Sequence, residues 1–134
     1  MKKEEFLAAV EKEIISIKEN ATTEEIGNLD FTELKPANSD NCIYGQMTGS
    51  CNNLRSKDLM IKGCTLVFNE ICFSDFDTLT DNVISVESNN SNEWNRGWRY
   101  TNYFSALETY ISLDDSNNEN VIAFLKGEVK ELEL

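Results

Sequence analysis

The densest group of chemically active side chains lies between Glu93 and Tyr100, where the chain reads Glu-Trp-Asn-Arg-Gly-Trp-Arg-Tyr. Tryptophan, tyrosine and arginine carry much of the binding energy at protein interfaces. They also stack on nucleobases, while arginine pairs with phosphate. The stretch therefore predicts a binding surface, unless its aromatic rings pack on the core and its arginines pair with surface acids. The candidate binding residues are Trp94, Arg96, Trp98, Arg99 and Tyr100.

A second distinctive stretch, Cys-Ile-Tyr-Gly-Gln-Met-Thr-Gly-Ser-Cys, runs from Cys42 to Cys51. Its two glycines permit backbone turns, so we predict an ordered loop. The ring of Tyr44, the amide of Gln46 and the hydroxyl of Thr48 are candidate contacts for a nucleotide-like ligand. The glycines lack the spacing and the lysine of a phosphate-binding P-loop, so nucleotide hydrolysis loses support.

Histidine is absent from the chain. This removes Ser-His and Cys-His nucleophile pairs, the most common general base and histidine-dependent metal sites. Carboxylate chemistry stays open, because Asp75, Asp77 and Asp81 are close enough in sequence to bind magnesium or calcium. The alternative is an exposed turn, since the stretch lacks the glycine and distal glutamate of a calcium loop. We predict no metal and no cofactor, and a carboxylate-metal enzyme is the least favoured function.

Four cysteines are present, at positions 42, 51, 64 and 72. They form no Cys-x-x-Cys pair, and no histidine is available to complete a mixed zinc site. In a reducing compartment such cysteines are expected to be reduced thiols that pack as small apolar side chains.

The chain carries 24 acidic and 12 basic residues, for a net charge of −12. Direct binding to DNA is disfavoured, because nucleic-acid binders gain affinity from lysine and arginine that neutralise phosphates. An acidic surface instead steers association with a basic partner, including a protein that handles nucleic acid. The alternative role of the charge is solubility. Candidate acidic interaction faces lie at the two termini and contain Glu11, Glu13, Glu131 and Glu133.

The apolar pattern predicts a single domain over residues 1–134 in the α+β class, with helices dominant and a small antiparallel sheet. Five apolar residues recur at helical spacing and predict an opening amphipathic helix that ends near Asn20: Phe6, Leu7, Val10, Ile14 and Ile17. Thr22 with Glu25 resembles a capping box. Asn53 and Ser105 are positioned to cap two further helices, and Gly127 to end a last one. A short strand is predicted over 82–87, and residues 65–73 fit a helix or a strand.

The N-terminal residues include acids where a secretory signal requires an apolar run, and no stretch approaches membrane-spanning length. We therefore expect a cytoplasmic protein.

The stretch from Cys42 to Cys51, with the helix predicted around Arg55, resembles a segment of small uncharacterised proteins of Bacteroidetes and their phages. The segment from Tyr103 to Glu128 is similar to their C-terminal part. The resemblance implies a phage or mobile-element accessory protein inside a bacterial host cell, in a group rich in small acidic inhibitors of bacterial defence. It implies no catalytic residue.

These observations favour a stoichiometric acidic inhibitor of anti-CRISPR or related anti-defence type. Its expected partner is a basic nucleic-acid-handling effector protein, and its oligomeric state is left open. The second hypothesis is a small module in which the two distinctive stretches enclose a nucleotide-like ligand.

Overall fold

The computed structural model describes residues 3–36, 38–68, 101–113 and 118–134. Within these ranges the elements, in chain order, are α1 (Lys3–Asn20), α2 (Thr23–Gly27), a 3-10 helix (Phe31–Glu33), α3 (Ile43–Thr48), α4 (Leu54–Gly63), β1 (Thr65–Phe68), β2 (Thr101–Phe104), α5 (Ala106–Leu113) and α6 (Asn118–Leu125).

Helix α1 is the central element of the core. Four of the five apolar positions predicted from its helical spacing are at most 1% exposed, namely Phe6, Val10, Ile14 and Ile17, whereas Leu7 is partly buried. This buried stripe packs against α4, α5 and α6. The prediction of an amphipathic helix ending near Asn20 is confirmed.

Local capping signals determine where several helices begin and end. Thr22 and Glu25 form the predicted capping box, in which each side chain accepts a hydrogen bond from the other residue's backbone N–H. Asn53 caps α4 by accepting from the Ser56 N–H, and Ser105 caps α5 by accepting from the Glu108 N–H. These predicted boundaries are confirmed because each cap satisfies a backbone donor that the first helical turn leaves unpaired.

The predicted α+β class is wrong, because the described residues form a helical fold whose core is packed by six α-helices. In these ranges the predicted small antiparallel sheet is reduced to one pair of short strands. Strands β1 and β2 form only a two-stranded antiparallel pairing of four residues each, with Thr65 opposite Phe104 and Phe68 opposite Thr101. The strand predicted over 82–87 lies outside the described residues.

The stretch from Cys42 to Cys51 is not the predicted ordered loop, since its centre forms α3. The sulfur of Cys42 caps this helix by accepting a hydrogen bond from the Gly45 N–H at 3.3 Å. Gly45 is required for close packing and not for a turn, because a Cβ atom there would lie 2.1 Å from the carbonyl oxygen of Ser39.

Arg55 on α4 ties together the segment where α1 ends and α2 begins. Its Nε and Nη2 atoms donate to the two carboxylate oxygens of Glu25 at 2.9 and 2.7 Å, and Nη2 also donates to the carbonyl of Asn20 at 2.9 Å. The guanidinium lowers the pKa of Glu25 from 4.5 to about 2. A bidentate pair of this kind holds both partners in a defined orientation.

We expect Arg55→Lys to lower the free energy of unfolding by about 1 kcal/mol at pH 7, because a lysine cannot reproduce the bidentate geometry. A carboxyl with a lowered pKa stabilises the fold above its ordinary value of 4.5 and loses that contribution as the pH falls towards 2. The free energies of unfolding of the wild type and of Arg55→Lys, measured in urea, should therefore differ by a constant amount above pH 5 or so, and the difference should shrink below it. Lys62→Gln, which breaks only an exposed pair with Asp58, is the matched control. An equal loss in both variants would contradict a special role for Arg55.

Candidate functional site

A carboxylate buried at the centre of the helical core forms the most highly connected polar site in the described structure. Glu13 on α1 is 0% exposed, and its Oε2 atom accepts hydrogen bonds from the Tyr44 hydroxyl and the Ser105 hydroxyl, each at 2.7 Å. Its Oε1 atom accepts from the backbone N–H of Leu107 at 3.0 Å. The Cys64 thiol lies 3.5 Å from Oε2 and 3.2 Å from the Tyr44 oxygen.

Four segments of the chain supply this cluster. Glu13 comes from α1, Tyr44 from α3, Cys64 from the C-terminal cap of α4, and Ser105 with Leu107 from the start of α5. Three of the donors satisfy the carboxylate while a thiol closes the remaining side, so the buried charge has the compensation that burial requires.

The position of Glu13 corrects the sequence prediction. The sequence predicts Glu13 on an acidic interaction face, but the residue lies on the buried stripe of α1, three residues after Val10 and four before Ile17. This spacing places all three side chains on one face of a helix. The signal was present in the sequence, but glutamate is so seldom buried without a visible partner that the residue type outweighed the spacing.

Burial raises the pKa of Glu13, and the hydrogen bonds from Leu107, Ser105 and Tyr44 only partly oppose that effect. Burial likewise raises the pKa of Tyr44 and of Cys64 well above their ordinary values, with a further contribution from the Glu13 charge. A thiol with a raised pKa is a poor nucleophile and a poor metal ligand at neutral pH, because both roles need the thiolate. The arrangement therefore fits a structural core better than a catalytic centre.

Glu108 is a second carboxylate close to this core. It is half-buried on α5, and its Oε2 atom accepts from the backbone N–H of Ile43 at 3.3 Å, at the start of α3. Burial and, secondarily, repulsion from Glu13 raise its pKa from 4.5 to about 8. Glu108 thus joins α5 to α3 in the same region where Tyr44 joins α3 to α1.

The three ligand-binding candidates in α3 have their polar groups occupied within the fold. Tyr44 is 2% exposed and donates to Glu13. Gln46 donates to the carbonyls of Asp30 and Asn41 and accepts from the Asp30 N–H. The hydroxyl of Thr48 lies 2.9 Å from the carbonyl oxygen of Tyr44. These groups hold α3 in place, so a nucleotide would have to compete with the protein's own contacts.

The other candidate binding residues, Trp94, Arg96, Trp98, Arg99 and Tyr100, lie outside the described residues, as do Asp75, Asp77, Asp81 and Cys72. The predicted enclosure of a ligand between the two distinctive stretches therefore also lies outside the described residues. Among the residues that it describes, no group of three or more acidic or cysteine side chains is arranged to hold a metal ion.

Three of the four predicted acidic interaction residues are exposed: Glu11 on α1, and Glu131 and Glu133 in the C-terminal segment. Glu128, which the prediction did not include, is exposed in the same segment.

The C-terminal segment, residues 126–134, folds back along α6. Gly127 adopts a φ of +80°, its N–H donates to the carbonyl of Phe124 at 3.1 Å, and the Glu128 N–H donates to Ala123 at 2.8 Å. This is the Schellman arrangement that ends a helix at a glycine, as the sequence predicted for Gly127. Beyond it, Leu132 packs against the core.

A hydrogen bond near the end of the segment completes its attachment. The Glu133 N–H donates to the side-chain oxygen of Asn120 at 2.6 Å. The carboxylates of Glu128, Glu131 and Glu133 are consequently presented from a backbone fixed at both ends.

No family model matches the chain, and no curated protein or solved structure is significantly similar to it.

No helix in the described ranges is long and apolar enough to span a lipid bilayer.

We expect Tyr44→Phe to destabilise the protein by about 1–3 kcal/mol, because Glu13 loses a donor while it stays buried. In the Glu13→Gln background the same substitution should cost less, since no buried charge then depends on the hydroxyl. A double-mutant cycle from urea unfolding at pH 7 measures this coupling. Additive effects of the two substitutions would contradict the central role of the Tyr44–Glu13 hydrogen bond.

We expect Glu108→Gln to stabilise the protein by more than about 1 kcal/mol at pH 8.5 and to have little effect at pH 4 or so. A carboxyl whose pKa is raised on folding ionises first in the unfolded chain. Its ionisation therefore lowers the free energy of unfolding as the pH rises from 4.5 towards 8. Glutamine keeps an oxygen for the Ile43 N–H but does not ionise.

Urea unfolding of the wild type and of Glu108→Gln between about pH 4 and pH 8.5 measures this effect. Glu11→Gln, on the exposed face of α1, is the control. Parallel pH profiles for the wild type and Glu108→Gln would show that Glu108 does not carry the expected penalty.

Proposed function

We propose that this protein is a non-catalytic acidic binding protein that occupies a basic, nucleic-acid-binding surface of a protein partner. The observation that carries the proposal is the docked C-terminal segment with its three exposed glutamates. On the resemblance of the Cys42 to Cys51 stretch, we place it among phage or mobile-element inhibitors of bacterial defence, acting in the host cytoplasm.

The overall charge supports a basic partner. A net charge of −12 on 134 residues attracts positively charged surfaces and repels phosphate backbones. Such a charge accelerates association and selects against acidic partners, although the charge alone does not define a binding site. The position of a binding site on the protein has to be defined by acidic groups that are held in a fixed arrangement.

The C-terminal segment supplies that arrangement. Glu128, Glu131 and Glu133 are exposed, and their backbone is held by the turn at Gly127, by the packing of Leu132 and by the bond to Asn120. Binding through an already ordered segment avoids most of the entropic cost of ordering it on association. A flexible acidic tail that served only solubility would not need these contacts.

The interior of the protein supports binding over catalysis. The hydroxyl of Tyr44 and the thiol of Cys64 face the buried Glu13 carboxylate, and burial suppresses ionisation of both groups. A reaction centre needs a group poised to exchange protons or attack a substrate near the working pH. Neither the Tyr44 hydroxyl nor the Cys64 thiol is poised in this way.

The proposal predicts that charge position, and not net charge alone, controls partner binding. The test variant is Glu128→Gln/Glu131→Gln/Glu133→Gln, and the matched control is Glu19→Gln/Glu24→Gln/Glu33→Gln, which removes three exposed carboxylates elsewhere. Each variant is used to capture proteins from bacterial lysate at low and high salt, with and without competing duplex DNA, and the captured proteins are identified by mass spectrometry.

We expect wild type and control to retain a basic nucleic-acid-handling protein that salt or DNA releases. The C-terminal variant should lose at least about tenfold in affinity, which corresponds to about 1.4 kcal/mol. Equal losses in both triple variants would indicate unspecific attraction, and a salt-insensitive complex would contradict the acidic mechanism.

A further inference from the structure

We propose that Cys42 and Cys51 are a dithiol pair that a low-molecular-weight disulfide oxidises to an intramolecular disulfide closing the two ends of α3. This would be a modification site independent of the acidic binding surface. The sequence prediction treated both residues only as packed, reduced thiols.

The first support is the convergence of both cysteines on one carbonyl group. The backbone N–H of Cys51 donates to the Ser39 oxygen at 2.9 Å, and the Cys42 sulfur lies 3.8 Å from the same oxygen. Helix α3 and the turn after it therefore bring the chain back next to Ser39, which lies shortly before the helix begins. The packing is tight, because the Ser39 carbonyl also occupies the space next to Gly45.

The second support is an electrostatic influence of one thiol on the other, which agrees with their convergence on the Ser39 carbonyl. The Cys51 thiol contributes to raising the pKa of Cys42 to about 12, although burial is the largest cause and Glu108 contributes more than Cys51. A disulfide requires neighbouring sulfurs that meet without rearrangement of the backbone.

The exposure of the two thiols determines which of them reacts first with the oxidant. Cys51 is half-buried, whereas Cys42 is only 4% exposed, so Cys51 is the thiol that the oxidant reaches. Its thiolate attacks one sulfur of oxidised glutathione, forms a mixed disulfide and releases one glutathione thiolate.

The Cys42 thiolate then attacks the Cys51 sulfur, which forms the intramolecular bond and releases the second glutathione thiolate. Both protein thiols give their protons to solvent, and the two electrons reduce the oxidant to two glutathione molecules. The raised pKa of Cys42 makes this second step slow at neutral pH, and its rate should rise about tenfold per pH unit while the pH stays well below that pKa.

The experiment treats the folded, full-length protein with oxidised glutathione at several pH values and follows intact mass and disulfide-linked peptides. We expect wild type to lose two hydrogen atoms in mass, with a peptide linkage between Cys42 and Cys51. Cys42→Ser should stop at a glutathione adduct on Cys51, because the resolving thiol is missing. Cys51→Ser should leave Cys42 reduced.

The serine at position 42 keeps an oxygen that caps α3, so this variant preserves the helix start, and circular dichroism checks that both variants are folded. A wild-type product that remains the mixed disulfide at Cys51 would overturn the proposal, as would a linkage to Cys64 or Cys72. Oxidation that occurs only after unfolding in urea would overturn it as well.

Discussion

The carboxylate of Glu13 is the constraint on which the helical core depends. A carboxyl group at zero exposure needs hydrogen-bond donors for its oxygens, and here they come from α3, from the end of α4 and from the start of α5. Apolar contacts between helices tolerate sliding and repacking, whereas a buried carboxylate fixes the direction of each donor. The cluster thus specifies how three helical segments meet α1, at the expense of the desolvation of one charge.

The placement of α3 shows how this constraint extends outward. Tyr44 approaches Glu13 from one end of the helix, while the Ile43 N–H reaches Glu108 on α5. On its other side, Gln46 holds the loop at Asp30. A helix of six residues is too short to be stable alone, so these contacts and its burial account for its existence. The polar residues that made this stretch look like a ligand loop are the residues that attach it.

Prediction from the sequence succeeded where short-range chemistry decides the outcome. The spacing of Phe6, Val10, Ile14 and Ile17, the box at Thr22 and the caps at Asn53 and Ser105 are each local, and each is confirmed.

Prediction from the sequence failed where the outcome depends on residues that are distant in the chain. Glu13 gains its donors from residues 31 to 94 positions away, and no local pattern announces them. The fold class failed for a related reason, because apolar β-branched stretches such as Thr65–Phe68 suggest a sheet but do not reveal how many strands will pair.

The pairing of β1 with β2 joins backbone positions that are far apart in the sequence. Phe68 lies opposite Thr101, so two residues 33 positions apart along the chain are neighbours in space. A strand needs a partner for the donors and acceptors of its backbone. A chain cut after residue 68 therefore loses the partner of β1 and leaves the backbone groups of Thr65–Phe68 to be satisfied by water or by another chain.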